Sequence, residues 1–333
     1  MHLLIPYAGW LPGAADDLPL PVLHDLLSKM QLPRQVLRPE GAFFYLKHEV
    51  DLAALYGLAG DETGRLPLAA LQRFRAGMPP AAGQAWGRIS LCHWQIGMND
   101  GQLRAPATLG VTADEAARIW DALSPLLAEG GLRIDASPAL PPYARHVRVD
   151  GVLADLPCAS VERVAGCELS DYLPRAAPSS AAGQWQRILA EAQMLLYQHP
   201  INDAREARRQ PALNSIWLDG VGALPPDFAP AAVEVIPDLQ QAAEAGDLAA
   251  WRAAWLRIER ECVPTWQAAL DTGQALEITL CGLQRSATFV AAPRVGFAHW
   301  FGHQLGRIQG WLRPQLAMHW PQSLSQTNEQ NLE

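Results

Sequence analysis

Trp86–Leu103 reads WGRISLCHWQIGMNDGQL. Its first eleven residues are rich in aromatic and branched side chains, and Asn99-Asp100-Gly101 follows before a second extended stretch. The Asp-Gly step between two such runs predicts a β-hairpin. Immediately downstream, Thr112 with Glu115 three residues on forms a capping-box pattern. Ala116, Ile119, Trp120, Leu123, Leu126 and Leu127 then share one helical face until Gly130-Gly131 ends it. Leu132–Ile134 and Arg145–Val149 read as two further strands around a proline-rich loop. The resulting ββαββ order predicts an α/β protein, a mixed sheet with helices packed on its faces.

Working outward, residues 2–6 (HLLIP) predict a buried strand ended by Pro6, and Leu18–Met30 carries apolar residues at helical spacing. Glu49–Leu58 and Pro67–Ala76 predict two short helices, with glycine and proline supplying the stops. Asp171–Ala182 (DYLPRAAPSSAA) cannot continue a periodic element and is the best loop or internal boundary. A long helix follows, with Trp185, Ile188, Leu189, Ala192, Leu195 and Leu196 as its apolar stripe. Asp247 reads as the N-cap of another helix bearing Trp251, Trp255, Ile258, Cys262 and Trp266, a core-packing stripe. Leu276–Leu280 predicts a strand, His299–Leu312 a last helix, and residues 321–333 a frayed polar tail. The expected organisation is one compact unit over 1–320, divisible into an inserted lobe (85–225) and a core lobe (1–84 with 226–320).

Composition limits the function classes. The 333 residues are 49% hydrophobic and 18% charged, which suits a globular chain with a large core and excludes a disordered or fibrous one. The 26 Lys and Arg against 34 Asp and Glu give a net charge of -8, so no broad positive field awaits nucleic acid. No apolar run approaches the roughly 20 residues that span a bilayer, so no membrane partner is expected. The five cysteines are never closer than nine residues, which writes neither a CxxC metal site nor a secreted disulfide framework. With no signal-peptide layout at the N-terminus, the expectation is a cytoplasmic protein.

Tyr197–Pro226 (YQHPINDAREARRQPALNSIWLDGVGALPP) crowds His, Asn, Asp and three arginines between a buried helix and a strand. Polar groups gathered there usually line a site. Arg205, Arg208 and Arg209 fall at i, i+3 and i+4, so on a helix their guanidinium groups share a face able to clamp a phosphate or carboxylate, or simply one that faces water. Gly220 and Gly222 after the strand offer close backbone approach to an anion, or a plain turn.

The pattern His-Pro-Ile-Asn-x-x-Arg (His199–Arg205) followed by Pro-x-x-Asn-Ser-Ile-Trp-Leu-x-Gly-x-Gly (Pro211–Gly222) resembles the RpfE-type regulatory proteins, a family often described as cofactor-independent phosphoglycerate mutase. The opening HLLIP, the LCHWQIGMNDGQL block at Leu91–Leu103 and the ITLCG run at Ile278–Gly282 extend the likeness over most of the chain. It implies a reduced alkaline-phosphatase-like architecture, distantly similar to the archaeal-type mutases. Those mutases use two divalent metals, held in part by an acidic residue just after the first strand and an Asp-His pair after a late one. Here the corresponding runs are Pro6-Tyr7-Ala8-Gly9 and Cys281-Gly282-Leu283, with Asp16 and Asp17 as the only nearby substitutes at the first.

The expected site is therefore a ligand pocket of His93, His199, Asn202, Arg205, Asn214, Trp217, Gly220 and Gly222 that takes a small anionic, phosphorylated or carboxylated metabolite. No catalytic residue is assigned, and neither a metal nor a cofactor is expected. A divalent metal enters only if the chain is instead an active mutase or phosphatase. A third reading makes Asn202, Asn214 and Trp217 structural and places function on a protein-binding surface. His299 and His303 have the spacing of a helical metal pair without a visible third ligand, Cys158 and Cys167 read as buried apolar residues, and no Gly-x-Ser-x-Gly elbow is present.

Overall fold

The computed structural model describes residues 1–9, 18–31, 34–37, 44–58, 65–96, 101–135, 140–174 and 180–291. In chain order the first elements are β1 (His2–Gly9), α1 (Pro21–Ser28), β2 (Arg34–Leu37), α2 (Lys47–Leu55), α3 (Leu68–Arg75), β3 (Trp86–Ile96) and β4 (Gly101–Arg104). There follow α4 (Ala113–Glu129), β5 (Leu132–Ile134), β6 (Ala144–Val149), α5 (Val161–Val164), α6 (Ala181–Tyr197), α7 (Pro200–Ala207) and β7 (Ser215–Gly222). The last are β8 (Val233–Val235), α8 (Gln240–Glu244), α9 (Leu248–Glu261), α10 (Val263–Asp271), β9 (Glu277–Gly282) and β10 (Arg285–Val290).

Two compact units result. The first takes the described parts of Met1–Pro39, Lys47–Leu55 and Pro230–Glu333, and the second those of Glu40–Leu46 and Tyr56–Ala229. The first unit holds a five-stranded mixed sheet ordered β2-β10-β9-β1-β8, in which β1 runs parallel to both β8 and β9 while β10 is antiparallel to its neighbours. Leu3, Leu4 and Ile5 are wholly buried, as a strand hydrogen-bonded on both edges requires. Pro6 does not end β1, contrary to expectation. The pairing with β9 is regular to Ile5↔Leu280 and resumes at Gly9↔Gly282, so Pro6 sits in the irregular stretch where its missing N–H breaks no ladder bond. Helix α1 opens on Pro21 with no cap of its own; the Glu259 carboxylate of α9 accepts from Val22 N (2.6 Å) and Leu23 N (3.0 Å) instead.

The predicted tryptophan stripe is two helices rather than one. α9 carries Trp251, Trp255 and Ile258, and the chain breaks at Cys262 because Pro264 cannot donate back into the preceding turn. Trp251 is fully buried and its indole N–H donates to Tyr7 O at 3.0 Å, fixing the end of β1.

In the second unit the ββαββ reading holds: β4-β3-β6-β5 is one antiparallel sheet, and β7 adds to the free edge of β3. The capping box at Thr112 is present in full, with Glu115 N donating to the Thr112 hydroxyl and Thr112 N donating to Glu115 Oε2 at 3.0 Å. Helices α4 and α6 lay their apolar faces together on one side of this sheet, where Ile119, Leu123, Leu127, Ile188 and Leu196 meet Ile89, Leu91, Val147, Ile216 and Leu218. Gly220 and Gly222 lie inside β7 and not after it. Gly220 has φ +61, and a Cβ there would meet Ala69 N of α3 at 2.8 Å, so glycine is needed for the close approach of helix to strand.

Candidate functional site

Four of the residues singled out from the sequence, His93, Asn202, Arg205 and Asn214, come together on a piece of backbone. Between α7 and β7 the chain runs irregularly through Pro211–Asn214, and of its amide groups Asn214 N donates to Cys92 O of β3 at 3.1 Å. Arg205 Nε donates to Pro211 O at 2.8 Å, and His93 Nδ1 donates to Ala212 O at 2.8 Å. The Asn202 side chain accepts from Leu213 N at 2.8 Å and donates to Leu213 O and Leu196 O at 3.1 and 2.8 Å. Asn214 bridges to β3, accepting from Trp94 N at 2.7 Å and donating to Trp94 O at 2.9 Å. Each side chain supplies the partner that an irregular backbone lacks.

Arg205 itself is fully buried. Its two remaining nitrogens donate to Glu115 Oε2 at 2.9 Å and Leu109 O at 2.6 Å, and Arg208 reaches the other oxygen of Glu115. The two guanidinium groups do converge on a carboxylate, as their spacing suggested, but the carboxylate belongs to α4. Arg209 lies past the end of the helix in a left-handed conformation, φ +55, and does not extend the face. His199 caps α7, its Nδ1 accepting from Ile201 N at 3.3 Å. Trp217 is buried with its indole N–H donating to Ala159 O at 2.8 Å, and its ring lies 6.3 Å from that of Trp94.

A second polar constellation escaped sequence reading. On the face of β3 opposite the α4–α6 core, Arg88 donates through Nε to Asp219 Oδ1 at 2.9 Å and through Nη2 to Asp219 Oδ2 at 2.8 Å and to Glu162. Asp219 Oδ2 also accepts from Val161 N at 2.9 Å, which ties α5 to β7. Burial raises the Asp219 carboxyl pKa, and the Arg88 charge offsets only part of that rise. Cys92, on the same face, has its thiol pushed far up by burial and then by Asp219, so it stays protonated. The signal available beforehand was a charged residue at alternate spacing inside two otherwise apolar strands, Arg88 in β3 and Asp219 in β7.

His146 stands opposite Arg88 on β6, fully buried, with Nε2 against Gln72 Oε1 at 3.1 Å. Burial, followed by the charges of Arg73 and Arg88 and opposed in part by Asp135, brings its pKa from 6.5 down to about 4. The unfolded chain therefore takes up the proton first as pH falls. The stability is whole above about pH 6.5 and declines toward pH 4, by up to about 3 kcal/mol. Urea midpoints of wild type should fall across that window, and those of His146→Gln should fall less.

In the first unit, a third cluster sits where β1 and β9 end. The fully buried Lys47 of α2 forms an ion pair with Asp51 one turn on, and Cys281 Sγ donates to the other Asp51 oxygen at 3.4 Å. Burial and then Asp51 raise the Cys281 thiol well above its ordinary range. His48 lies with its ring 5.0 Å from that of Tyr7, a residue held at φ +55. Asp16, Asp17, His299, His303, the last predicted helix and the 321–333 tail lie outside the described residues.

No family model matches the chain, and no curated protein matches it. Among solved structures, it is similar to a cofactor-independent phosphoglycerate mutase from Thermoplasma acidophilum DSM 1728, at 16% identity and a TM-score of 0.39 over 92% of this chain and 94% of that one. It is similar also to the PH0037 protein from Pyrococcus horikoshii, at 13% identity and a TM-score of 0.48 over 89% of this chain and 88% of that one.

Proposed function

We propose that this chain is a cytoplasmic regulatory or binding protein of the RpfE type, of mutase-like architecture, which recognises a small anionic metabolite and does not perform two-metal phosphoryl transfer. The observation that supports the reading is the state of Asp51. Two-metal chemistry needs carboxylates and imidazoles converging on cations. Here the carboxylate at the strand ends is already neutralised by a buried ammonium on one oxygen and holds a thiol on the other. A divalent cation drawn to Asp51 would stand beside the fixed Lys47 charge, and like charges about 4 Å apart repel by about 4 kcal/mol per charge product near a protein surface. Cys281 would have to give up a proton that its surroundings hold tightly. Among the described residues, no group of three or more His, Cys, Asp or Glu side chains is placed to hold a metal ion. As bonded here, Asp51 and Cys281 do not fit the paired metals of the mutases.

The test is metal analysis of the purified chain before and after incubation with Mn²⁺ and Zn²⁺, with assays of 2- and 3-phosphoglycerate interconversion and calorimetric titration with 3-phosphoglycerate and sugar phosphates. The expected result is substoichiometric metal, no metal-dependent turnover and saturable binding of a phosphorylated metabolite. Stoichiometric metal with metal-dependent turnover would establish the mutase or phosphatase reading instead. A silent ligand screen would leave a regulator acting through a protein partner.

A further inference from the structure

The geometry points to an oxyanion site in the second unit at the β3–β6 end of the sheet, formed by the N–H groups of Trp86, Arg73 and Arg148, which we propose takes a phosphate monoester bearing a hydroxyl. The inference deepens the proposed function and rests on its anionic ligand, while moving recognition away from the clasp at Pro211–Asn214.

Three observations carry it. Trp86 and Arg148 are directly opposite each other on β3 and β6, so their side chains stand side by side on one face. Arg73 of α3 lies over the Trp86 ring, its guanidinium carbon 3.6 Å from the centroid. Trp86 Nε1, Arg73 Nε and Arg148 Nε are all buried and have no hydrogen-bond partner. Partnerless N–H groups on three adjoining side chains depart from the rule that buried donors are satisfied, and a ligand oxyanion is a partner of the right chemistry for them. Trp86 and Arg73 are themselves more than nine-tenths buried, so these donors belong to a built interior rather than to a loose surface.

The surroundings choose the ligand's charge. Among the described residues, Arg73, Arg133 and Arg148 form ion pairs with Asp135 and Asp150, an excess of one positive charge in a chain whose net charge is -8. The neighbouring row has the opposite balance, with Arg88 between Asp219 and Glu162, and confines an anion to the Trp86 end. His146, two residues from Arg148 on the same face, gives Nε2–H to Gln72 and keeps a buried, unpaired Nδ1 lone pair. A neutral imidazole nitrogen of that kind accepts from a hydroxyl, which is why an oxyanion carrying an O–H fits better than a bare one.

The test is titration of the full chain with inorganic phosphate and with 3-phosphoglycerate, read by the ¹⁵N–¹H resonance of the Trp86 indole and by calorimetry. That resonance is identified by its loss in Trp86→Phe. Saturable displacement of the indole signal, with affinity at least tenfold weaker in Trp86→Phe and Arg73→Lys, is the expected result. Binding that leaves the indole signal unmoved, or equal binding by both variants, overturns this site while leaving the metabolite reading standing. No binding of either anion overturns both. Ordered water alone on the three nitrogens, in crystals grown with phosphate, overturns the site, and the wild-type resonance decides the matter even if a variant does not fold.

Discussion

Arg205→Met loses about 3–5 kcal/mol of unfolding free energy, the magnitude for a buried ion pair stripped of one partner. The guanidinium is fully buried and makes three hydrogen bonds, to Glu115, Leu109 O and Pro211 O, so its removal leaves two carbonyls and part of a carboxylate without partners. Against a typical total of about 5–15 kcal/mol, that loss brings the second unit close to unfolding at room temperature. Urea denaturation followed by tryptophan fluorescence measures it, and a loss under about 1 kcal/mol would show that Arg205 is held less firmly than its bonds indicate. The pH dependence adds a check. Burial tends to raise the Glu115 carboxyl, but the Thr112 N–H bond and the Arg205 and Arg208 charges prevail and lower it. A lowered folded pKa contributes stability that is present above the unfolded value of about 4.3 and fades as pH falls through the folded one. In Arg205→Met the Glu115 share of that acid-side loss should be smaller, because the folded pKa moves back toward the unfolded one.

Arg88→Met is the second large effect, again about 3–5 kcal/mol at neutral pH, because the buried Asp219 and half-buried Glu162 carboxylates lose the cation between them. The Asp219 pKa, already raised by burial, rises further once Arg88 is gone. A carboxyl with a raised folded pKa loses stability as pH increases, so the variant should regain part of its deficit between pH 7 and pH 5. Wild type should show a smaller gain, since Arg88 offsets part of the rise in the Asp219 pKa. The double variant Arg88→Met with Asp219→Leu should be less damaged than the single one, because no unpaired charge then remains at that position. Equal damage in both would mean that packing, and not charge, is what Arg88 contributes.

The ββαββ order was legible because each piece declared itself locally: an Asp-Gly turn, a capping box at Thr112, a one-sided stripe along α4 and a proline-bounded loop. The strands β2, β8 and β10 were missed. β2 and β8 have four and three residues, too short to show a period of two, and one edge of β10 is paired with β2, hundreds of residues earlier in the chain. The tryptophan stripe from Trp251 to Trp266 keeps helical spacing straight through Cys262, and only the missing N–H of Pro264 reveals the break. In the site, His93, Asn202, Arg205 and Asn214 were recognisable as a group since polar side chains between buried elements must find partners. What they grip was hidden, because the partners are main-chain atoms that look alike at every position. Glu115 makes the same point: its three-residue relation to Thr112 is written in the sequence, whereas its bonds to Arg205 and Arg208 span about ninety residues.

The first unit draws its sheet from both ends of the described chain, with β1 seated between β8 and β9 and more than 220 residues intervening. On the ribosome, β1 is therefore made early and cannot be enclosed until the last strands have emerged. The second unit lies almost wholly in one continuous stretch and can form its core while synthesis continues, which makes it the first to fold. Until β8 and β9 are made, Leu3, Leu4 and Ile5 have no sheet to enter, and an unpaired apolar strand of that kind is open to pairing with other chains.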